Sequence, residues 1–378
     1  MRRYRPIAFA LLTLALLPAC ATAPVVASDD ERNRAPFEAA LAQLQTLAPP
    51  GAALGLVENG RPRIDIVGLE ALDRGDSVSR DSVFQIASLT KPFTAIIILR
   101  LAEEGRLRLD SRAHEILDWL PEQYQSVTVR QLLGHTSGVP RDLRRENVDE
   151  FAATEIESRF RAASPSFPPG ERWEYSNTGY ILLSLIAEQR SGRPFETLLR
   201  HYIFEPLGMR NSRYRAPLRA ARGRASGYDW DGNAWQPAPP VYSGFGNSGI
   251  ETTAGDLGRF AAALQQRRLL RPESYREMLE PVRLVDGEVV SFPFRGQPSS
   301  YGFGWFLTSM CGQRVALHGG TIAGFSSALY WAVDADVSAF ALSNGKARPD
   351  RSGIAEWPAA AALRQALDCA PAPDRQPA

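Results

Sequence analysis

The chain has 378 residues, and its 43 basic side chains nearly balance its 42 acidic ones. That balance leaves no basic footprint for nucleic acid, and an apolar content of 44% excludes a disordered chain. The length exceeds what one compact domain needs and suits two lobes.

Arg2, Arg3 and Arg5 precede an apolar run over 7–17, and the small residues Ala19, Cys20, Ala21, Thr22 and Ala23 follow. This is the order of an export signal, expected over 1–23. Two processing sites stand side by side. Ala21, Thr22 and Ala23 fit ordinary signal peptidase, whereas Leu17, Pro18, Ala19 and Cys20 resemble a lipoprotein box that makes Cys20 a lipidated first residue. The run is short for a membrane span. The protein is therefore expected to be exported, either periplasmic or lipid-anchored to a bacterial membrane. With Cys20 removed or lipidated, Cys311 and Cys369 remain, and they can form a disulfide or stay as two thiols. Two cysteines and four scattered histidines show no ligand spacing, so no metal is expected.

Residues 36–47 have helical periodicity, with Pro36 at a tolerated first position. Strands are expected at 51–57 and 61–67, joined by the hairpin signal Asn59-Gly60. A short apolar run at 83–86 leads into Ser88. Beyond it, Leu89, Phe93, Ile96, Ile97, Leu99 and Leu101 predict a long buried helix with Pro92 in its first turn. Helices are expected at 109–119, 129–134, 148–162, 178–189 and 194–203. Residues 229–249, rich in Gly, Pro and aromatics, read as a long ordered loop whose Trp230–Phe245 part lines a pocket. A helix at 254–266, capped by Thr252 or Thr253, is followed by strands at 302–307, 314–318, 326–332 and 338–343 and a helix at 354–367. The pattern predicts a mixed α/β (α+β) fold in which early and late strands share one antiparallel sheet flanked by helices. The sheet lobe takes 36–105 and 250–368, an inserted, mostly helical lobe takes 106–249, and 369–378 reads as an unstructured tail.

Only two of the 43 basic residues are lysines, Lys91 and Lys346. Arginine keeps its proton, while a buried lysine can lose it and act as a base. Lys91 follows Ser88 by three residues, so on a helix the amine faces the hydroxyl in an S-x-x-K arrangement. Alone, the pair is weak evidence, and the ordinary reading is an N-cap serine on a helix. Lys346 reads as a surface cation in a turn. Tyr175, Ser176 and Asn177 form a second element. The phenol can move a proton, and the amide can orient Lys91 or hold a substrate carbonyl. His318, Gly319, Gly320 and Thr321 form a third at the end of an expected strand. There the glycines admit close approach, and a backbone amide beyond them can share an oxyanion hole with the Ser88 amide. His135 is read as a structural turn residue, and Met209 and Trp305 as packing.

In this order the three motifs resemble those of the serine beta-lactamase and penicillin-binding-protein superfamily, in particular its class C beta-lactamase-related branch. That branch includes family VIII esterases, D-amino-acid peptidases and D,D-carboxypeptidases. Phe84 to Ala87, Leu132 to Gly138, Pro206 to Met209 and Tyr301 to Trp305 extend the resemblance, which covers about 36–367. It implies an acyl-serine hydrolase with no cofactor: Ser88 as nucleophile, Lys91 as its base, Tyr175 as general acid/base, Asn177 supporting them, and Thr321 as second oxyanion amide. His318, Gly319 and Gly320 fall where beta-lactamases carry Lys-Thr-Gly. A neutral imidazole anchors a carboxylate less well than an ammonium, so esters or D-peptides are expected ahead of beta-lactams. Two other readings stand beside this one: a D,D-carboxypeptidase or weak beta-lactamase on cell-wall substrates, and a non-catalytic peptidoglycan receptor.

Overall fold

The computed structural model describes residues 34–143, 153–214, 223–239, 244–294, 296–346 and 355–369. The expected export signal with Cys20, the start of the helix expected at 148–162 and the chain past 369 lie outside them. Strands run in chain order as β1 Gly51–Glu58, β2 Arg61–Ala71, β3 Asp76–Ser77, β4 Val83–Gln85, β5 Arg213–Tyr214, β6 Tyr228–Trp230 and β7 Trp235–Pro237. They continue as β8 Ile250–Thr253, β9 Phe292–Phe294, β10 Gln297–Tyr301, β11 Phe306–Met310, β12 Gln313–Ile322, β13 Phe325–Ala332 and β14 Val337–Ser343.

Nine strands form one sheet in the order β3-β2-β1-β14-β13-β12-β11-β10-β9. The first long strand pairs antiparallel with the last, Ala52 opposite Ser343, so the two ends of the chain share the sheet as expected. Local chemistry sets the register. Asn59 and Gly60 take φ of 49° and 73°, the two-residue turn whose twist matches its strands. Cys311 and Gly312 repeat this between β11 and β12, at 54° and 76°.

Side chains alternate across each strand, so both faces need cover. Leu54, Leu317 and Tyr330 pack under the Arg34–Leu47 and Glu356–Ala366 helices with Phe37, Leu44 and Leu363. Leu329 and Phe340 meet the Thr90–Glu103 and Ala254–Gln265 helices on the other face, where Phe93 stacks on Phe260 at 3.8 Å. Burying each such ring contributes roughly 2–3 kcal/mol. The Thr90–Glu103 helix is buried along nearly its whole length, which fixes its N-terminus against the sheet. A small sheet, β4-β8-β5, delivers the chain to that N-terminus.

Several sequence expectations change. A disulfide joins Cys311 to Cys369, with Cα atoms 5.7 Å apart. Cys369 is thus tied to the β11–β12 turn rather than lying in a loose tail. Residues 302–305 turn instead of extending: Gly304 takes φ 79°, the Gly302 amide donates to Trp305 O at 2.8 Å, and the strand begins only at Phe306. The helix expected at 109–119 shrinks to a 3-10 turn, Ala113–Glu115, because Ser111 and Ala113 pair with the 127–129 segment. The long loop at 229–249 contains the β6–β7 hairpin, and an additional helix spans Pro272–Met278.

Candidate active site

Ser88 sits in a 3-10 turn, Ala87–Leu89, between β4 and the Thr90–Glu103 helix. Ala87 before it holds a left-handed φ of 46°, uncommon for a residue with a Cβ. The turn is clamped from the sheet: Ser327 Oγ on β13 donates to Ile86 O at 2.7 Å. Gly320 on β12 lies so close that an added Cβ would overlap the Ile86 carbonyl oxygen and sit 2.9 Å from Ser88 N. Only glycine lets β12 pass beside the serine amide. β11 pairs with β12 from Gln313 to Leu317, and His318 to Ile322 extend past it with an edge that no strand among the described residues pairs.

Lys91 is fully buried, and its Nζ reaches three oxygens. Ser88 Oγ lies at 3.1 Å, Asn177 Oδ1 at 2.9 Å and the Asn247 carbonyl at 3.1 Å. The last two can only accept from the amine. They use two N–H bonds, and Ser88 lies within reach of another tetrahedral position, which in the neutral amine is the lone pair. Asn177 opens the Asn177–Ser191 helix behind the cap Ser176, whose Oγ accepts from Gly179 N at 3.0 Å. Its Nδ2 donates to Asp142 Oδ2 at 3.1 Å, which turns Oδ1 toward Lys91. Asn247 belongs to a buried turn pinned by Thr94 Oγ1 on Gly246 O at 2.6 Å. Asp142 and Asn247 are the supports that the motifs did not reveal. Any residue can supply a carbonyl, and the only cue was the Gly-rich run at 244–249.

Tyr175 places its ring centroid 4.8 Å from Lys91 Nζ. His135 grips the backbone on either side of it: Glu174 N donates to His135 O at 3.0 Å, and Ser176 N donates to His135 Nδ1 at 3.1 Å. The imidazole also packs on the phenol ring, centroids 4.5 Å apart. An amide can only donate, so Nδ1 is bare and the ring is the neutral Nε2–H tautomer. Burial, then the Lys91 and His318 charges, holds His135 well below the usual histidine range. His318 is likewise buried, with Nδ1 2.7 Å from Gly319 O and its ring 6.2 Å from Tyr175. Burial first and the Lys91 charge second push its pKa down to about 3. The site therefore carries a neutral histidine. Thr321 is exposed on the free stretch of β12. Cys311 and Cys369 lie at the far turn of β12, away from this cluster, and Cys20 lies outside the described residues.

A beta-lactamase family model matches residues 37–363. The chain belongs to the beta-lactamase family. It is 33% identical to penicillin-binding protein 4* of Bacillus subtilis over 70% of this chain and 61% of that one. It is 26% identical to protein flp of Staphylococcus aureus over 74% of this chain and 56% of that one. The chain thus spans about three fifths of the length of these relatives. Among solved structures, a penicillin-binding protein from Bacillus halodurans superposes with a TM-score of 0.71 at 25% identity, covering 87% of this chain and 99% of that one. The octameric penicillin-binding protein homologue from Pyrococcus abyssi shares the fold at a TM-score of 0.74 and 23% identity, over 88% of this chain and 77% of that one. Ser88, Lys91, Tyr175, Asn177, His318 and Gly320 come from separate stretches of this family member and meet at one end of β12.

Proposed function

We propose that the protein is an exported serine hydrolase that cleaves esters or amides lacking a carboxylate, D-amino-acid amides included, through an acyl-Ser88 intermediate. Ser88 Oγ attacks the carbonyl carbon while its proton passes to Lys91 Nζ. The Ser88 and Thr321 amides receive the oxyanion. The bond to the leaving atom breaks as Tyr175 gives that atom its proton. The phenolate then takes a proton from water, which attacks the acyl group, and Ser88 recovers its proton from Lys91.

The observation that carries this reading is the fully buried Lys91 with two fixed acceptors and Ser88 within reach at 3.1 Å. A lysine kept only for charge does not need that arrangement. The neutral His318 supports substrates lacking a carboxylate over beta-lactams or peptide termini, whose carboxylate finds no ammonium from this position. The relatives' names make penicillins the competing ligands. A receptor without turnover is the weaker reading, since the proton-transfer groups are assembled. Export rests on the first residues; among the described residues no helix is long and apolar enough to cross a membrane.

The test is Lys91→Arg, which keeps a long basic side chain that cannot lose its proton and so removes the base. Burst kinetics on a chromogenic ester should show acylation at least about 1000-fold slower. A variant that acylates at the wild-type rate removes Lys91 from the mechanism.

A further inference from the structure

Tyr175 protonates the leaving atom in the reaction proposed above, so the leaving group departs along the phenol. What stands there is a file of aromatic rings. Phe306, the first residue of β11, lies nearly parallel to Tyr175 at 10°, with ring centroids 6.1 Å apart. Phe294 of the edge strand β9 stacks on Phe306 at 4.3 Å and 15°. Phe292 meets Phe306 edge-on at 6.1 Å and stacks on Trp173 at 4.2 Å. Phe306 also reaches His318, at 5.3 Å. The file therefore runs from the edge strands of the sheet to the catalytic phenol and imidazole.

Phe294 and Phe306 lean on the core beneath the two terminal helices, yet the file is not sealed. Tyr301, which backs Phe306 edge-on at 5.0 Å, is fully buried. Phe292, Phe294, Phe306, Trp173 and Tyr175 each keep part of their surface accessible. The edge strand β9 is protected by its shortness and by Pro293, and it places Phe292 and Phe294 at that edge. Parallel and edge-on rings accept a further ring by the same offset stacking that orders them.

The geometry points to a leaving-group subsite on Phe306 and Phe294 that selects aryl leaving groups: esters of phenols or amides of aromatic amines. The inference rests on the hydrolase reading and adds its substrate class. In the selected step the Ser88 Oγ–acyl bond forms, the acyl–oxygen bond of the aryl ester breaks, and the phenol leaves with the proton of Tyr175.

The test compares two esters of one acid, phenyl butyrate and hexafluoroisopropyl butyrate, whose leaving groups have similar acidity but only one of which is a ring. Because kcat/KM reports formation of the acyl-enzyme, it isolates the leaving-group contact. Wild type should prefer the phenyl ester by about tenfold, the scale of one or two ring contacts. Phe306→Leu and Phe294→Leu should each remove most of that preference, the phenyl ester losing about tenfold more than the fluoroalkyl ester. Phe306→Tyr should keep the preference. Equal rates on both esters in the wild type, or equal losses on both in the leucine variants, overturn the subsite and leave the hydrolase reading standing. If neither ester acylates Ser88 and a fluorophosphonate does not label it, the hydrolase reading fails and the subsite fails with it.

Discussion

His318→Gln should make the protein less sensitive to acid. His318 is buried, with a pKa pushed down to about 3 in the folded chain, against roughly 6.5 when unfolded. Between those values the unfolded chain binds a proton that the folded chain does not. Stability must then fall as pH falls from about 6.5, and the loss is complete near pH 3. At pH 5 the unfolded form gains about one and a half pH units of protonation at roughly 1.4 kcal/mol each, so this one residue costs about 2 kcal/mol. Glutamine keeps a similar shape but cannot titrate. Urea unfolding at about pH 7.5 and about pH 5 gives the change in stability for each protein. The wild type should lose about 2 kcal/mol more than the variant across that interval. His135 is also depressed by burial and contributes with the same sign, but it is present in both proteins and cancels. Equal losses in the two proteins would show that His318 is protonated, or solvated, in the folded state, and the case for a substrate lacking a carboxylate would go with it.

Two further outcomes follow from the packing around the serine. Gly320→Ala should push β12 off the Ser88 amide, because its Cβ meets Ile86 O, Ser327 Oγ and Ser88 N. We expect kcat to drop by about 100- to 1000-fold, as for loss of an oxyanion donor, with the melting temperature separating this from unfolding. His135→Ala should lower kcat by about 100-fold with little change in KM and shift the alkaline limb of the pH–rate profile, since Tyr175 loses its positioning. His135→Asn, which tolerates the φ of 61° and offers an acceptor to Ser176 N, should recover much of that loss. A purely structural His135 would instead lower stability in both variants and leave the profile unmoved.

The sequence carried the parts of the site that are local. Ser88 and Lys91 are one helical turn apart, and Tyr175 and Asn177 flank an N-cap, so spacing alone places their side chains. The hairpin at Asn59-Gly60 and the pairing of first and last strands were legible for the same reason, as turn chemistry and alternation. What stayed hidden depends on backbone groups and distant partners. The Asn247 carbonyl on Lys91 has no residue signature, and Asp142 acts only because the fold brings it to Asn177. The glycines and aromatics at 302–305 alternate like a strand, yet Gly304 turns the chain beneath Lys91 and Pro92, a close approach no periodicity shows. The helix at 109–119 lost to pairing with 127–129, a tertiary override of local propensity. The Pro272–Met278 helix did carry its signal, Pro272 and Glu273 in the first turn.

The central claim is that Ser88 is acylated through Lys91. Intact-mass measurement after reaction with a fluorophosphonate tests it most directly, with peptide mapping of the adduct. The account predicts one adduct per chain, on Ser88, absent in Ser88→Ala and formed far more slowly in Lys91→Arg. An adduct on another residue, or an unmodified wild-type chain under conditions where it is folded, would contradict it.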